Sequence, residues 1–215
     1  MIKYIFAVAF SFIIGNESWT QTNLNFKPNW TEEGDASYSI DEFRFYVSNI
    51  IFITENGDRI IDKNPAHLLQ IEGKKIPGLI FNHIDRDIIV AVKFIIGTDS
   101  LINVSGILDG DLDPILGMYW AWNTGYINTK IEGSLIQNNQ KTQFEYHIGG
   151  YLPPFQTSSE ITLDVSKSKS DINIRIDLDQ FLNQANIESV PSVLIPGKKA
   201  SELAIHFKNS FSIEK

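Results

Sequence analysis

The strongest constraint on the fold is a two-residue alternation of apolar and polar side chains. In the segment SDINIRIDLDQFLN (170–183), four aliphatic residues between 172 and 178 alternate with four polar residues between 173 and 179. Successive side chains of a strand point to opposite faces, so this pattern places one face in a core and the other in water. The segment 170–183 is therefore predicted to be a β-strand.

Further short segments are rich in β-branched and aromatic residues and are separated by turns that contain glycine. The Asn56-Gly57 pair is a strong hairpin signal between two such segments. One amphipathic helix is predicted over 200–211, with Leu203, Phe207 and Phe211 on its apolar stripe. No repeat or linker divides the chain, so we predict one domain over 21–215. It is an all-β fold, an antiparallel β-sandwich with long loops and one short C-terminal helix. The other predicted strands are 42–54, 87–100, 125–133, 141–150 and 158–165.

The N-terminus is typical of a secretory signal peptide. Lys3 precedes the eleven-residue apolar run 4–14, which is too short to span a bilayer as a helix, and a polar stretch follows. We predict a signal peptide over 1–20, with an approximate cleavage site; a buried first strand is the alternative. No later segment is predicted to cross a membrane. The mature protein is expected to be soluble and exported, to the periplasm or the cell exterior.

Composition excludes several classes of function. The 215 residues contain 18 basic and 26 acidic side chains, a net charge of -8, which disfavours nucleic-acid binding. The absence of cysteine excludes disulfides, thiolate metal sites and cysteine nucleophiles. The sequence has no nucleophile elbow, phosphate-binding loop or dinucleotide fingerprint, so a binding protein is expected and an enzyme is not.

The segment GMYWAWNTGY (117–126) contains two of the four tryptophans of the chain. In a strand, Trp120 and Trp122 would lie side by side on one face. Such a pair packs a sandwich core, stacks on a sugar, binds a cation through the ring face, or flanks a soft metal ion. Met118 adds a soft thioether to the same segment.

Two histidines and an acidic loop are the other candidates for metal binding. His147 lies in FEYHIGG, just before a glycine pair, and His67 lies in PAHLL. A neutral imidazole suits copper or zinc, although a lone strand histidine is often only hydrogen-bonded. The segment DGDLDP (109–114) alternates carboxylates as a calcium loop does. It has proline where the loop requires glycine and no glutamate at the twelfth position, so a calcium-stabilised adhesion domain ranks last.

Several segments together resemble the MbnP-like family of methanobactin-associated copper-binding proteins, in the version typical of exported proteins of Bacteroidetes-type bacteria. The resemblance runs from about residue 24 to 211, and its most specific part is LDPILGMYWAWNTGYI (112–127). It implies an exported β-rich domain that binds copper, as Cu(I) or Cu(II), for acquisition or sequestration. It also implies a partner, a di-haem peroxidase-like enzyme that converts a tryptophan to kynurenine, whose amine can bind Cu(I). The other segments that carry the resemblance are FRFYVSNIIF, IIGTDS, FEYHIGG and IDLDQFLN.

The resemblance implies site residues for this chain. Trp120 or Trp122 is the candidate for modification, with Met118 beside them, and His147 and His67 are the candidate copper ligands. Two departures stand against the match: Gln70 replaces an acidic residue that often follows the family's His-Leu pair, and Pro191 stands where many members are expected to have histidine. The alternative is a module that binds no metal, in which the tryptophan pair stacks on a ligand such as a glycan or forms core.

Overall fold

The structure, a computed structural model, describes residues 20–123, 125–167 and 171–214. The predicted signal peptide 1–20 lies outside the described residues except for Thr20. Three α-helices are present in the described part: α1 (Ser100–Val104), α2 (Leu178–Ala185) and α3 (Lys198–Asn209). None of the described helices is long and apolar enough to cross a membrane. The strands of the described residues are β1 (Gln21–Asn29), β2 (Ala36–Thr54), β3 (Arg59–Ile61), β4 (Ala66–Gln70), β5 (Leu79–Asn82), β6 (Ile89–Ile96), β7 (Tyr119–Trp120), β8 (Gly125–Gln137), β9 (Gln140–Gly149), β10 (Ser159–Asp164), β11 (Ile172–Asp177), β12 (Ser192–Val193) and β13 (Phe211–Ile213).

The strands form two sheets. The smaller sheet has the order β13-β11-β1-β5, and the larger has the order β10-β6-β2-β8-β9-β12, with β3 and β4 also paired to β2 and β7 paired to β8. This arrangement confirms the predicted all-β sandwich. Most pairs are antiparallel, but β1 pairs with β11, and β9 with β12, in parallel.

Two of the predicted local elements are confirmed. The Asn56-Gly57 turn connects β2 and β3, which pair antiparallel with Ile51 opposite Ile61. The predicted C-terminal helix is α3, which buries Leu203 and Phe207 on its apolar face. The third residue of the predicted stripe, Phe211, lies instead in β13, because the helix ends at Asn209. Both segments carry a local signal that agrees with the tertiary packing.

The prediction of one strand over 170–183 is wrong in its second half, because β11 ends at Asp177 and α2 begins at Leu178. The Asp177 carboxylate accepts a hydrogen bond from the Gln180 backbone N–H at 3.0 Å, which caps the new helix. From Leu178 onward the buried residues follow helical spacing, with Phe181 and Leu182 on the same side as Leu178. The apolar-polar alternation continues past the cap residue Asp177, so the sequence does not show where the strand ends and the helix begins.

The main core lies between the two sheets and under the helices. Phe43, Phe45 and Val47 of β2 point into it, as do Phe144, Tyr146 and Ile148 of β9. An aromatic cluster joins the layers, with ring centroids 5.0–6.5 Å apart, and its edge-to-face contacts are the favoured geometry for aromatic pairs. Its members are Phe26 of β1, Phe43 and Phe45 of β2, Phe94 of β6, Phe207 of α3 and Phe211 of β13.

The opposite face of the larger sheet carries a second, smaller apolar cluster. The long segment 99–123 crosses this face, and Tyr46 of β2 meets it from the sheet. The Tyr46 hydroxyl donates to the Asp111 carbonyl at 2.9 Å, and the Tyr126 hydroxyl donates to the Leu112 carbonyl at 2.9 Å. We call this face the outer face and the segment 99–123 the cover loop. Every residue singled out in 117–122 lies in the cover loop.

Candidate functional site

Trp120 is the buried member of the tryptophan pair. It lies in β7 opposite Gly125 of β8, and only 6% of its surface is exposed. Its ring reaches Gly149 at the end of β9: a Cβ atom built at Gly149 would lie 2.6 Å from Cζ3 of Trp120. The glycine pair that follows His147 thus makes room for an indole.

Trp122 is the exposed member of the pair, with 64% of its surface open to solvent. The prediction that both indoles project from one strand is wrong, because β7 ends at Trp120 and residues 121–123 form a turn. The Asn123 N–H donates to the Trp120 carbonyl at 3.3 Å within this turn. The two rings are nevertheless neighbours, with centroids 5.7 Å apart and planes inclined at 48°.

His147 lies on the outer face, close to the tryptophan pair. It is opposite Lys130 of β8, and Nε2 donates to Oε1 of Glu132 at 2.7 Å. His147 and Gly149 are two residues apart on β9 and so share a face, about 7 Å apart along the strand. The structure therefore brings His147 and Trp120 to neighbouring places on one surface.

A network of charges surrounds His147. Nζ of Lys130 lies 3.2 Å from Oε1 of Glu132 and 2.9 Å from Oε2 of Glu42, and Glu42 also pairs with Nε of Arg44 at 2.8 Å. Burial raises the pKa of Glu132, but hydrogen bonds from His147 and Lys130 outweigh it, and the pKa is lowered overall. Glu132 is therefore a carboxylate that holds His147 in one orientation.

His67 lies elsewhere. It pairs with Val47, which points into the main core, and its ring centroid is 6.3 Å from that of the core residue Phe81. Nε2 of His67 donates to Oδ2 of Asp62 at 2.5 Å. His67 is on β4 and His147 on β9, with β2 and β8 between them, a separation of three strand spacings or ~14 Å. Because the two histidines also face opposite sides of the sheet, they do not share an ion, and a ligand role for His67 stays a prediction for a separate position.

Met118 and the acidic loop complete the account of the predicted residues. Met118 is fully buried in the cluster that contains Trp120, and its carbonyl accepts from the Ile127 N–H at 2.9 Å. Asp111 accepts from the Leu68 N–H at 3.1 Å, and Asp113 accepts from the Ile115 N–H at 2.9 Å. These two carboxylates anchor and cap the cover loop. Among the residues that the structure describes, no group of three or more histidine or acidic side chains is arranged to hold a metal ion.

Sequence reasoning missed the residues that support His147. Glu132, Lys130, Glu42 and Arg44 are separated from it by up to about a hundred positions, and only the strand register brings them together. The sequence shows both the glycine pair after His147 and Trp120, but it does not show that Trp120 packs on Gly149. A local pattern does not reveal such cross-strand contacts.

These features define a candidate binding surface on the outer face of a β-sandwich, built from a histidine on β9 and two tryptophans of the cover loop. A family model described as MbnP matches residues 9–195, and the chain belongs to the MbnP family. Among solved structures, MbnP from Methylosinus trichosporium is similar, with a TM-score of 0.54, 14% identity, and coverage of 77% of this chain and 78% of that chain. At this identity the similarity shows a shared fold. A search of curated protein sequences found no significant match.

Proposed function

We propose that this chain is an exported copper-binding protein that acquires or sequesters copper and is not itself an enzyme. His147 is the proposed nitrogen ligand, and Trp120 and Trp122 flank the metal. The observation that carries the proposal is the position of His147 two residues from the glycine on which Trp120 packs, on the outer face of an MbnP-family sandwich.

The surroundings of His147 support a ligand role. In metal sites a ligating histidine commonly donates its other ring nitrogen to a carboxylate, which fixes the tautomer and raises the basicity of the imidazole. Glu132 is such a carboxylate, because it accepts the hydrogen bond from Nε2 of His147. No hydrogen bond from the described residues occupies Nδ1, which leaves that nitrogen as the donor to the metal.

The side chains present could supply only a few ligands, and they suit a soft metal ion better than an ion that needs four protein ligands. One imidazole is present at this place on the outer face, and Met118 is the buried thioether in the cluster. Imidazole and thioether both suit copper. Pro191 adds no donor side chain, and its carbonyl accepts from the Glu145 N–H at 2.9 Å.

Conversion of one tryptophan to kynurenine supplies a further nitrogen. The proposed partner is a di-haem peroxidase-like enzyme using hydrogen peroxide. Two peroxides supply one oxygen atom each to C2 and C3 of the indole, the C2–C3 bond breaks to give N-formylkynurenine, and the peroxides leave as two waters. Hydrolysis of the formyl group by one further water then releases formate and gives kynurenine. The product carries an aryl amine with a free lone pair, whereas the indole N–H is a donor only. Trp122 is the more accessible ring for a partner enzyme, since Trp120 is buried.

The test is an anaerobic Cu(I) titration against a competing chelator, with mature protein from the native host. The wild type is expected to bind stoichiometric copper, His147→Gln to bind at least about tenfold more weakly, and His67→Gln, the matched control, to keep the wild-type affinity at the His147 site. Intact and peptide mass spectrometry of the same sample reports modification at Trp120 or Trp122. Absence of copper from the wild type, or equal affinity in His147→Gln, would contradict the proposal.

The second candidate function is a ligand platform without metal, and the exposed ring of Trp122 favours it. Exposed aromatic rings stack on the faces of sugars and other flat ligands. In this case binding of an oligosaccharide panel is lost in Trp122→Ala and retained in His147→Gln. Copper binding, in contrast, is expected to be weakened in His147→Gln. The same pair of variants therefore separates the two functions.

A further inference from the structure

The outer face of the larger sheet is covered over only part of its area. The cover loop packs on β4, β8 and the middle of β2. The remaining part is formed by β3, the end of β2, β6 and β10. On this part, no apolar cluster joins the sheet to another element of the described chain. A partly apolar sheet surface is thus left open beyond the cover loop.

This open part contains a groove with an isoleucine floor. Ile51 lies in the middle, opposite Ile61 on β3 and Lys93 on β6. Ile61 is 63% exposed, so its side chain is open to a ligand. The groove has a volume of about 270 Å³, near the lower limit of small-molecule pockets, roughly 300 Å³. Its lining residues are Asn49, Ile51, Arg59, Ile61, Lys93, Phe94, Ile95 and Glu160.

The rim of the groove is cationic. Lys93 pairs with Glu160, with Nζ and Oε2 2.6 Å apart, whereas Arg59 has no ion pair with any described residue. The lining therefore holds two cations and one carboxylate, on a chain whose net charge is -8. An unpaired guanidinium beside an apolar floor suits an anionic group attached to an apolar body.

A β-bulge shapes one end of the groove. Asn49 has a φ of 53°, in the left-handed region, where β2 shifts register between Ser48 and Ile51. The Asn49 side chain donates to Oδ2 of Asp99 at 2.9 Å. The shift leaves Ile51 on the groove floor, while its neighbours Ile50 and Phe52 stay in the main core.

We propose that this groove binds a small monoanionic amphiphile, such as a medium-chain carboxylate. The alkyl chain lies on Ile51, Ile61 and Ile95, and the acid group pairs with Arg59. The aliphatic part of Lys93 lines the chain while its ammonium group stays at the rim. This site is separate from His147 and the tryptophan pair, and it does not depend on copper.

The test is isothermal titration of the full mature chain with decanoate below its critical micelle concentration, and with decanol as the uncharged analogue. Decanoate is expected to bind the wild type at a single site. Arg59→Gln should weaken decanoate binding by about two- to fivefold, the effect of losing one solvent-exposed ion pair, and leave decanol binding unchanged. Ile61→Ser should weaken both ligands, and since Ile61 is exposed, the fold tolerates the change.

Arg175→Gln is the matched control, an exposed arginine on the smaller sheet that contacts Asn29 and Asp177. It should bind decanoate as the wild type does. Equal binding by Arg59→Gln and the wild type would show that the acid group does not use Arg59, and would overturn the proposal. Absence of a single-site isotherm for the wild type would overturn it as well.

Discussion

At the scale of single residues, the site depends on Gly149, because glycine has no side chain. Gly149 allows Trp120 to cross the start of β8 and rest on the end of β9, two positions from His147. The backbone at Gly149 needs no left-handed conformation, so the requirement is for space alone. The Trp120 carbonyl also helps to close the turn that presents Trp122.

Gly149→Ala is therefore expected to destabilise the protein. The new Cβ would lie 2.6 Å from both Trp120 Cζ3 and the Tyr126 carbonyl oxygen, and such overpacking costs about 1–3 kcal/mol in the free energy of unfolding. Guanidinium denaturation measures this change. Gly125→Ala is the control, because its nearest neighbour, Oδ1 of Asn103, is 3.4 Å away. Equal losses in the two variants would show that the space at Gly149 is not the cause.

At the scale of elements, β2 organises the sandwich and α2 closes it. β2 is 19 residues long and pairs with β8 along 36–45 and with β6 along its second half. α2 begins where β11 ends, so the strand and helix share one residue, Asp177, as boundary. The helix exists because its apolar side is buried and its first turn is capped.

Asp177→Ala is expected to lower the free energy of unfolding by about 1 kcal/mol, the usual cost of removing an N-cap. Asp177→Asn keeps an oxygen that accepts from the Gln180 N–H and loses only the charge that pairs with the exposed Arg175. It should stay within about 0.5 kcal/mol of the wild type, because surface ion pairs contribute little. Thermal unfolding of both variants separates the cap from the ion pair. Equal losses would assign the effect to charge.

At the scale of the whole molecule, one aromatic cluster holds both sheets and α3 together. The ring of Phe207 contacts the rings of Phe43 and Phe45 in the larger sheet, Phe181 in α2, and Phe211 in the smaller sheet. Its surface is 1% exposed. A cluster shared by all layers makes the sandwich one cooperative unit.

Phe207→Ala should cost about 3–5 kcal/mol, since it leaves a cavity where several layers meet. The expected result is a single transition at lower denaturant, seen together by far-UV and near-UV circular dichroism. Ile205→Ala is the control, because Ile205 lies on the same helix and is 55% exposed. A Phe207→Ala transition that split into two would show instead that the sheets unfold independently.

The sequence predicted the elements better than it predicted the site. The Asn56-Gly57 hairpin, α3 and the sandwich class have local signals. The same signals failed at Trp122, because nothing between 119 and 123 marks where β7 ends. They gave no information on which face His67 would occupy, since that depends on the pairing of β4 with β2. Register and strand length are set by distant packing, which a local pattern does not contain.

The alternation of β2 also bears on how this protein changes over evolutionary time. Between 42 and 48, Phe43, Phe45 and Val47 belong to the main core, while Arg44 and Tyr46 face the cover loop. Neighbouring positions of one strand therefore have different structural roles: Phe43, Phe45 and Val47 hold the main core, while Arg44 and Tyr46 hold the cover loop through the Leu116 and Asp111 carbonyls. Descendants of this chain are thus expected to vary the anchorage of the cover loop and the packing of the main core independently, although both are encoded in one short strand segment.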